Sequence, residues 1–207
     1  MKLIYLFLII SLFIILLYYT KSENKDILII ENFFDNYTFG KIVNNLDGLK
    51  FKNDNRITSR KTICLDKNKY KKLYDLIYKN KKFKQTVETL NKNNFLIYPD
   101  FPIEYREYPN GSSGMRWHQD ASLFSPDCLE VVLTLENNSD SKFQWRENNK
   151  IREVKPKRNT LVIVKPQTVF HRVTPVKGNR KILKFIIQFK DSKKTHVYYD
   201  QINNCPF

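Results

Sequence analysis

The sequence predicts an α+β fold, mainly β, behind one N-terminal apolar helix. Three observations predict it. The second half of the chain is a succession of extended, period-two segments parted by Pro-, Gly- and Asn-containing turns. The first half carries two stretches of helical periodicity. Residues 3–19 are apolar or aromatic apart from Ser11.

That N-terminal run comes first in chain order. A membrane-spanning helix needs roughly 17–25 apolar residues, so this one is at the short end. It closes on Leu16-Leu17-Tyr18-Tyr19-Thr20-Lys21, without a small-residue cleavage site, and its terminal tyrosines suit a membrane interface. Residues 1–20 are expected to be an uncleaved signal anchor. A cleaved signal peptide and a buried core helix are the alternatives. Lys2 on one side nearly balances Lys21 and Lys25 on the other. The short tail favours a cytoplasmic N-terminus, with residues 21–207 in a lumen. That remainder is long enough for one domain with a real core.

Residues 35–46 have a helical pattern, with Asp35 placed as N-cap. Residues 56–65 are expected to form a strand. Residues 67–91 repeat apolar positions at helical spacing, with Leu73, Tyr74 and Ile77, then Val87 and Leu90. Residues 103–108 alternate as a strand into the turn cluster 109–114, and residues 115–118 resume an extended path. Residues 130–135, 160–164 and 169–173 follow as strands. The last strand, 180–189, is two-faced. Leu183, Phe185, Ile187 and Phe189 suit a core, while Arg180, Ile182, Lys184, Ile186 and Gln188 form the other wall.

Chemistry concentrates in His118-Gln119-Asp120, His171 and Arg180. The chain has three histidines, and two fall in this pattern. Two histidines and one carboxylate leave coordination positions open, as in non-haem Fe(II) oxygenases. Residues i and i+2 of a strand point the same way, so His118 and Asp120 can reach one ion from a strand end. The third histidine, His196, lies in a polar C-terminal stretch and is expected to be structural.

Taken with Tyr108, Gly111 and the run 171–176, these residues resemble the 2-oxoglutarate- and Fe(II)-dependent dioxygenases of the prolyl 4-hydroxylase type. The resemblance covers most of the chain after the N-terminal segment; residues 26–34 look like the family's opening strand. It implies a double-stranded β-helix, or jelly roll, with helices bracing the larger sheet. His118, Asp120 and His171 would be the metal ligands. Arg180 would bind the distal carboxylate of 2-oxoglutarate, a task that suits a planar guanidinium. Tyr108 would contact the same cosubstrate, with Thr134 and Lys184 as further cosubstrate-side candidates. The implied cofactor is Fe(II), with 2-oxoglutarate and O2 consumed and succinate and CO2 released; ascorbate is an additional candidate. The implied substrate is peptidyl proline or another protein side chain, and a lumenal location accords with such enzymes.

One departure concerns turns. Many relatives have glycines where this chain has Asn137-Asn138-Ser139 and Arg158-Asn159. Asparagine tolerates left-handed backbone better than most residues, so the turns are expected to survive. Two other readings compete. A nucleic-acid demethylase of the AlkB type would suit the net charge of +15, but that family carries a second arginine six residues after the first, and position 186 here is Ile186. Nucleic acid is therefore not the expected partner. The other reading is a dioxygenase-like binding module without activity. The lysines are spread along the chain, and the dense stretch 67–84 is expected to be a solvated helix face. Cys64, Cys128 and Cys205 form no motif; one disulfide with one free thiol, or three free thiols, both satisfy an odd count.

Overall fold

The computed structural model describes residues 26–53, 59–90, 94–126 and 128–207. The expected anchor lies outside them. Among the described residues, no helix is long and apolar enough to cross a membrane.

The chain begins with β1 (Ile27–Ile30) and α1 (Asn36–Asn44), followed by β2 (Lys52–Asn53) and β3 (Lys61–Leu65). Asp35 caps α1 as expected, its Oδ1 accepting from the Thr38 N–H at 2.9 Å. The stretch 67–91 divides into α2 (Lys71–Tyr78) and α3 (Lys81–Thr89) rather than forming one helix. Asn80 makes the break. Its backbone is extended (φ −60°, ψ 130°) and its side chain accepts from the Phe83 N–H. A short polar side chain that satisfies a first-turn N–H favours a new helix start over a helix interior.

The strands continue with β4 (Ile103–Tyr108), β5 (Met115–His118), β6 (Phe124–Ser125), β7 (Cys128–Asn137), β8 (Phe143–Glu147) and β9 (Lys150–Val154). Then come β10 (Leu161–Val164), β11 (His171–Val173), β12 (Arg180–Gln188) and β13 (Lys193–Lys194), and the chain turns into α4 (His196–Asn203). A seven-stranded sheet runs in the order β1-β10-β7-β12-β4-β3-β2, and a four-stranded sheet in the order β5-β11-β8-β9. Neighbouring strands in both are antiparallel.

Each face of the large sheet buries a different layer. Leu183, Phe185 and Ile187 of β12 join Val131, Leu133 and Leu135 of β7 in the main core, against Phe39, Ile42, Leu73, Tyr74, Ile77, Tyr78, Phe83 and Val87 of the helices. The predicted core face of 180–189 is therefore the helix-packed face. Tyr74 and Tyr78 are buried with their hydroxyls satisfied, donating to the carbonyls of Leu65 and Ile186. The opposite face meets the small sheet, where Phe143 packs with Val162 and Val164. This is a jelly-roll sandwich braced by helices on one side.

Of the two asparagine turns, the one at Arg158-Asn159 uses left-handed backbone, whereas Asn137 and Asn138 do not. Asn159 adopts φ +62°. Its side chain accepts from Phe34 N–H at 3.0 Å and donates to the Phe34 carbonyl at 2.7 Å, tying the β9–β10 turn to the segment before α1. Asn159→Ala combines a left-handed backbone with two lost buried hydrogen bonds, and is expected to cost about 2–4 kcal/mol in urea denaturation.

Cys64 and Cys205 form a disulfide that pins the segment after α4 to β3, while Cys128 is a buried free thiol. The bridge closes a separation of 141 residues. Cys205→Ser is expected to lower stability by about 2–5 kcal/mol, measured against the parent under non-reducing conditions. His196 begins α4 and belongs to neither cluster of metal-ligand-type side chains among the described residues.

Candidate metal centre

Strands β5 and β11 pair so that His118 stands opposite His171, with an irregularity between His171 and Val173. Gly114 permits this approach. Its φ is +71°, and a Cβ there would collide with the Val173 and Thr174 carbonyls. Each imidazole uses Nδ1 on a backbone carbonyl, His118 on Arg116 at 2.7 Å and His171 on Val169 at 2.9 Å. These bonds put the proton on Nδ1 and leave the Nε2 lone pairs free. The second bond also explains why β11 starts only at His171: the Val169 carbonyl faces the ring rather than a neighbouring strand. The two rings lie 4.4 Å apart.

Asp120 completes the group. Its Oδ1 is 3.5 Å from Nε2 of His118 and its Oδ2 is 3.3 Å from Nε2 of His171. One ligand-type atom from each of the three residues lies within 4.8 Å of the other two. Nε2 of His118 is buried and makes no hydrogen bond of good geometry. Convergent unprotonated nitrogens and a carboxylate oxygen are a donor set for a divalent ion. Burial pushes the Asp120 carboxyl up, but Lys184 and the two histidines draw it well below the usual carboxylate range. The carboxylate in turn raises His118.

The pocket beside this group is lined by Tyr108, Val132, Phe143, Val162, Val164, Arg180 and Ile182, and also by Arg106, Glu130 and Lys184. Arg180 is 3% exposed. Burial lowers its pKa, and its guanidinium lies 5.9 Å from the Tyr108 ring centroid. Its Nε has no hydrogen-bond partner, and among the described residues the charged group that acts on it is the Tyr108 phenol rather than a carboxylate. A buried cation without a counter-ion is costly, and a bound anion removes the cost. Tyr108 is also buried; although burial raises its phenol, Arg106, Arg60 and Arg180 together bring it below the ordinary value.

The other cations of the pocket are neutralised from within. Arg106 pairs with Glu104 on the same strand. Lys184 pairs with Glu130 at 2.5 Å and stands 3.9 Å from Oδ1 of Asp120. The groups left over are Asp120 and Arg180. A divalent ion and a dicarboxylate added to that pair bring the total charge to zero.

Six of the seven residues singled out in the sequence thus line the pocket: His118, Asp120, His171, Arg180, Tyr108 and Lys184. Lys184 is engaged by Glu130 rather than reaching free into the cavity. Thr134 is fully buried but is not part of the lining, and its Oγ1 has no hydrogen-bond partner. The register slips between Lys181 and Ile182, where β12 meets β7 at Thr134. Glu130 and the Glu104–Arg106 pair were overlooked. Their signal was present, since a carboxylate inside the apolar run Cys128–Asn137 must be buried with a partner.

No family model matches the sequence, and no curated protein matches it. Solved structures do match the fold. A prolyl hydroxylase from Trichoplax adhaerens, in complex with a hypoxia inducible factor oxygen degradation domain peptide, superposes with a TM-score of 0.60 at 16% identity, over 80% of this chain and 84% of that one. The fold is that of the 2-oxoglutarate/Fe(II) oxygenases. An oxidoreductase of the 2OG-Fe(II) oxygenase family from Burkholderia pseudomallei gives 0.64 at 13% identity, covering 78% of this chain and 84% of its own. The viral collagen prolyl hydroxylase of Paramecium Bursaria Chlorella virus-1, in its 2OG complex, gives 0.57 at 15%, covering 82% and 99%. The fold is therefore one shared with 2-oxoglutarate/Fe(II) oxygenases, prolyl hydroxylases among them, and the His-Asp-His group sits in it.

Proposed function

We propose that the chain is an Fe(II)- and 2-oxoglutarate-dependent hydroxylase acting on peptidyl proline or another protein side chain. The observation that carries this reading is Arg180, a buried guanidinium without a carboxylate partner in the same pocket as His118, Asp120 and His171. The three ligands would hold the metal through Nε2, Nε2 and one carboxylate oxygen. Arg180, with Tyr108 beside it, would fix the distal carboxylate of the cosubstrate. Thr134, just off the pocket wall, would stiffen that end rather than touch it. Val132, Val162, Val164 and Ile182 keep the chamber between these ends apolar, which excludes water and orients the cosubstrate chain. Iron, 2-oxoglutarate and O2 together supply C–H hydroxylation with release of succinate and CO2.

A peptide substrate is supported by the peptide bound to the Trichoplax relative and by the collagen prolyl hydroxylase among the similar folds. Ascorbate, as reductant of the iron, belongs to the same proposal. Membrane anchoring by residues 1–20 and a lumenal catalytic domain are part of it too, and the Cys64–Cys205 disulfide accords with an oxidising compartment. Ile186, where a nucleic-acid demethylase would carry its second arginine, is buried in an apolar cluster with Phe101, Phe124 and Tyr198.

The test is anaerobic addition of Fe(II) and 2-oxoglutarate, followed by the visible charge-transfer absorption of the ternary complex and, in air, by succinate release with proline-rich peptides. A visible band in the parent that is lost in His171→Ala supports the reading. A folded protein with no band and no succinate removes it and leaves the binding-module alternative.

A further inference from the structure

The pocket holds one more carboxylate than the metal centre needs. Glu130 on β7 is 5% exposed and lines the same cavity as His118, Asp120 and His171. Lys184, arriving from β12, holds Glu130 at 2.5 Å and touches Oδ1 of Asp120 at 3.9 Å. No other Lys or Arg among the described residues lies within salt-bridge distance of Asp120.

A metal of octahedral habit bound by three protein donors has three positions left. A bidentate 2-oxo acid and O2 fill them all. A second carboxylate in the pocket, if free, would be drawn to the ion, because opposite charges in a poorly solvated site attract by several kcal/mol even at an effective dielectric near ~20. It would tighten the metal and close a position that the cosubstrate requires. The ammonium prevents this in two ways. It holds Glu130 in an ion pair, and it competes for Oδ1 of Asp120, the oxygen 3.5 Å from Nε2 of His118, which weakens that oxygen as a second donor.

We propose that Lys184 is a positioning residue that sequesters Glu130 and directs Asp120 to bind through one oxygen, keeping three metal positions open. The inference rests on the metal-centre reading above. It replaces a direct cosubstrate contact by Lys184 with an action through the two carboxylates.

The experiment uses Mn(II) on the full chain, with affinity measured by electron paramagnetic resonance and 2-oxoglutarate affinity measured calorimetrically on the Mn(II)-loaded protein. Lys184→Met is expected to bind Mn(II) at least about tenfold more tightly and 2-oxoglutarate at least about tenfold more weakly. Adding Glu130→Gln to that variant removes the freed carboxylate and is expected to return both constants close to the parent's. Lys184→Arg keeps the ion pair and is expected to resemble the parent. Glu130→Gln alone leaves an uncompensated ammonium beside the ion and is expected to weaken Mn(II) about tenfold, an arm that stands even if Lys184→Met fails to fold. A Lys184→Met loss of 2-oxoglutarate binding that Glu130→Gln does not reverse overturns the proposal in favour of a direct contact. So does a Glu130→Gln variant with unchanged metal affinity. Parent protein that binds Mn(II) no better than His171→Ala would instead remove the metal centre itself, a distinguishable result.

Discussion

Arg180→Met is expected to abolish the proposed 2-oxoglutarate-dependent turnover and at the same time to raise the melting temperature of the metal-free protein. Both effects have one cause. The guanidinium is buried, its Nε has no partner, and no carboxylate in the described residues pairs with it. Without a bound anion it is a net cost to folding, and replacing an imperfectly compensated buried charge by an apolar side chain of similar volume stabilises proteins by about 1–4 kcal/mol. In a domain of this size each kcal/mol corresponds to roughly 2–4 °C. With cosubstrate present the sign reverses. Loss of the charge partner of a buried carboxylate costs about 2–5 kcal/mol, so 2-oxoglutarate affinity falls by roughly thirtyfold to several thousandfold. Arg180→Lys keeps the charge without the two-pronged fork and takes an intermediate position. Scanning calorimetry of the metal-free proteins and titration of the Mn(II)-loaded proteins check both halves. A destabilised metal-free Arg180→Met would show that the guanidinium has an internal partner and is not held in reserve for an anion.

The second large effect is that of His171→Ala. In the proposed centre it removes one of three donors, so metal affinity is expected to fall by at least about a hundredfold and turnover with it. The fold is expected to survive, because the lost side chain contributes one hydrogen bond to Val169, ring contacts with Phe143 at 5.4 Å and His118 at 4.4 Å, and an approach to Asp120 at 3.3 Å. The separating measurement is the thermal shift on adding Mn(II). A ligand that binds only the native state raises the parent's melting temperature by mass action and leaves the variant's unmoved. Metal binding also depends on pH through His118, whose pKa is raised by Asp120. A proton and the ion compete for Nε2, so affinity declines as the pH falls through that raised value. The metal-free fold behaves in the opposite sense. The His118–Asp120 attraction is fully present below the ordinary histidine value and is lost as pH rises through the raised one.

Legibility in the sequence followed the range of the interaction. Alternation along residues 180–188 separated Leu183, Phe185 and Ile187 from Arg180, Ile182 and Lys184, and the sandwich buries the first set under helices and turns the second toward the pocket. That inference needs only the strand period. Asp35 as a cap was local in the same way. The break at Asn80 was equally local but ambiguous, because the apolar positions on either side stay close to one helical spacing while the side chain itself supplies a new cap. Cysteine pairing was out of reach, since Cys64 and Cys205 meet across 141 residues and nothing near either marks the other.

The amino-acid sequence by itself determined the chemistry available: two histidines, an aspartate at strand spacing from one of them, and an arginine on the wall of a neighbouring strand. Tertiary structure alone decided which charges are already spent. Glu104 neutralises Arg106, and Glu130 neutralises Lys184, so that Asp120 and Arg180 remain to receive an ion and an anion. The reason is that ion pairing in a poorly solvated pocket depends on distances of a few ångströms between side chains delivered by different strands. The strand period states which way a charge points, and only the packed sheets state what it meets.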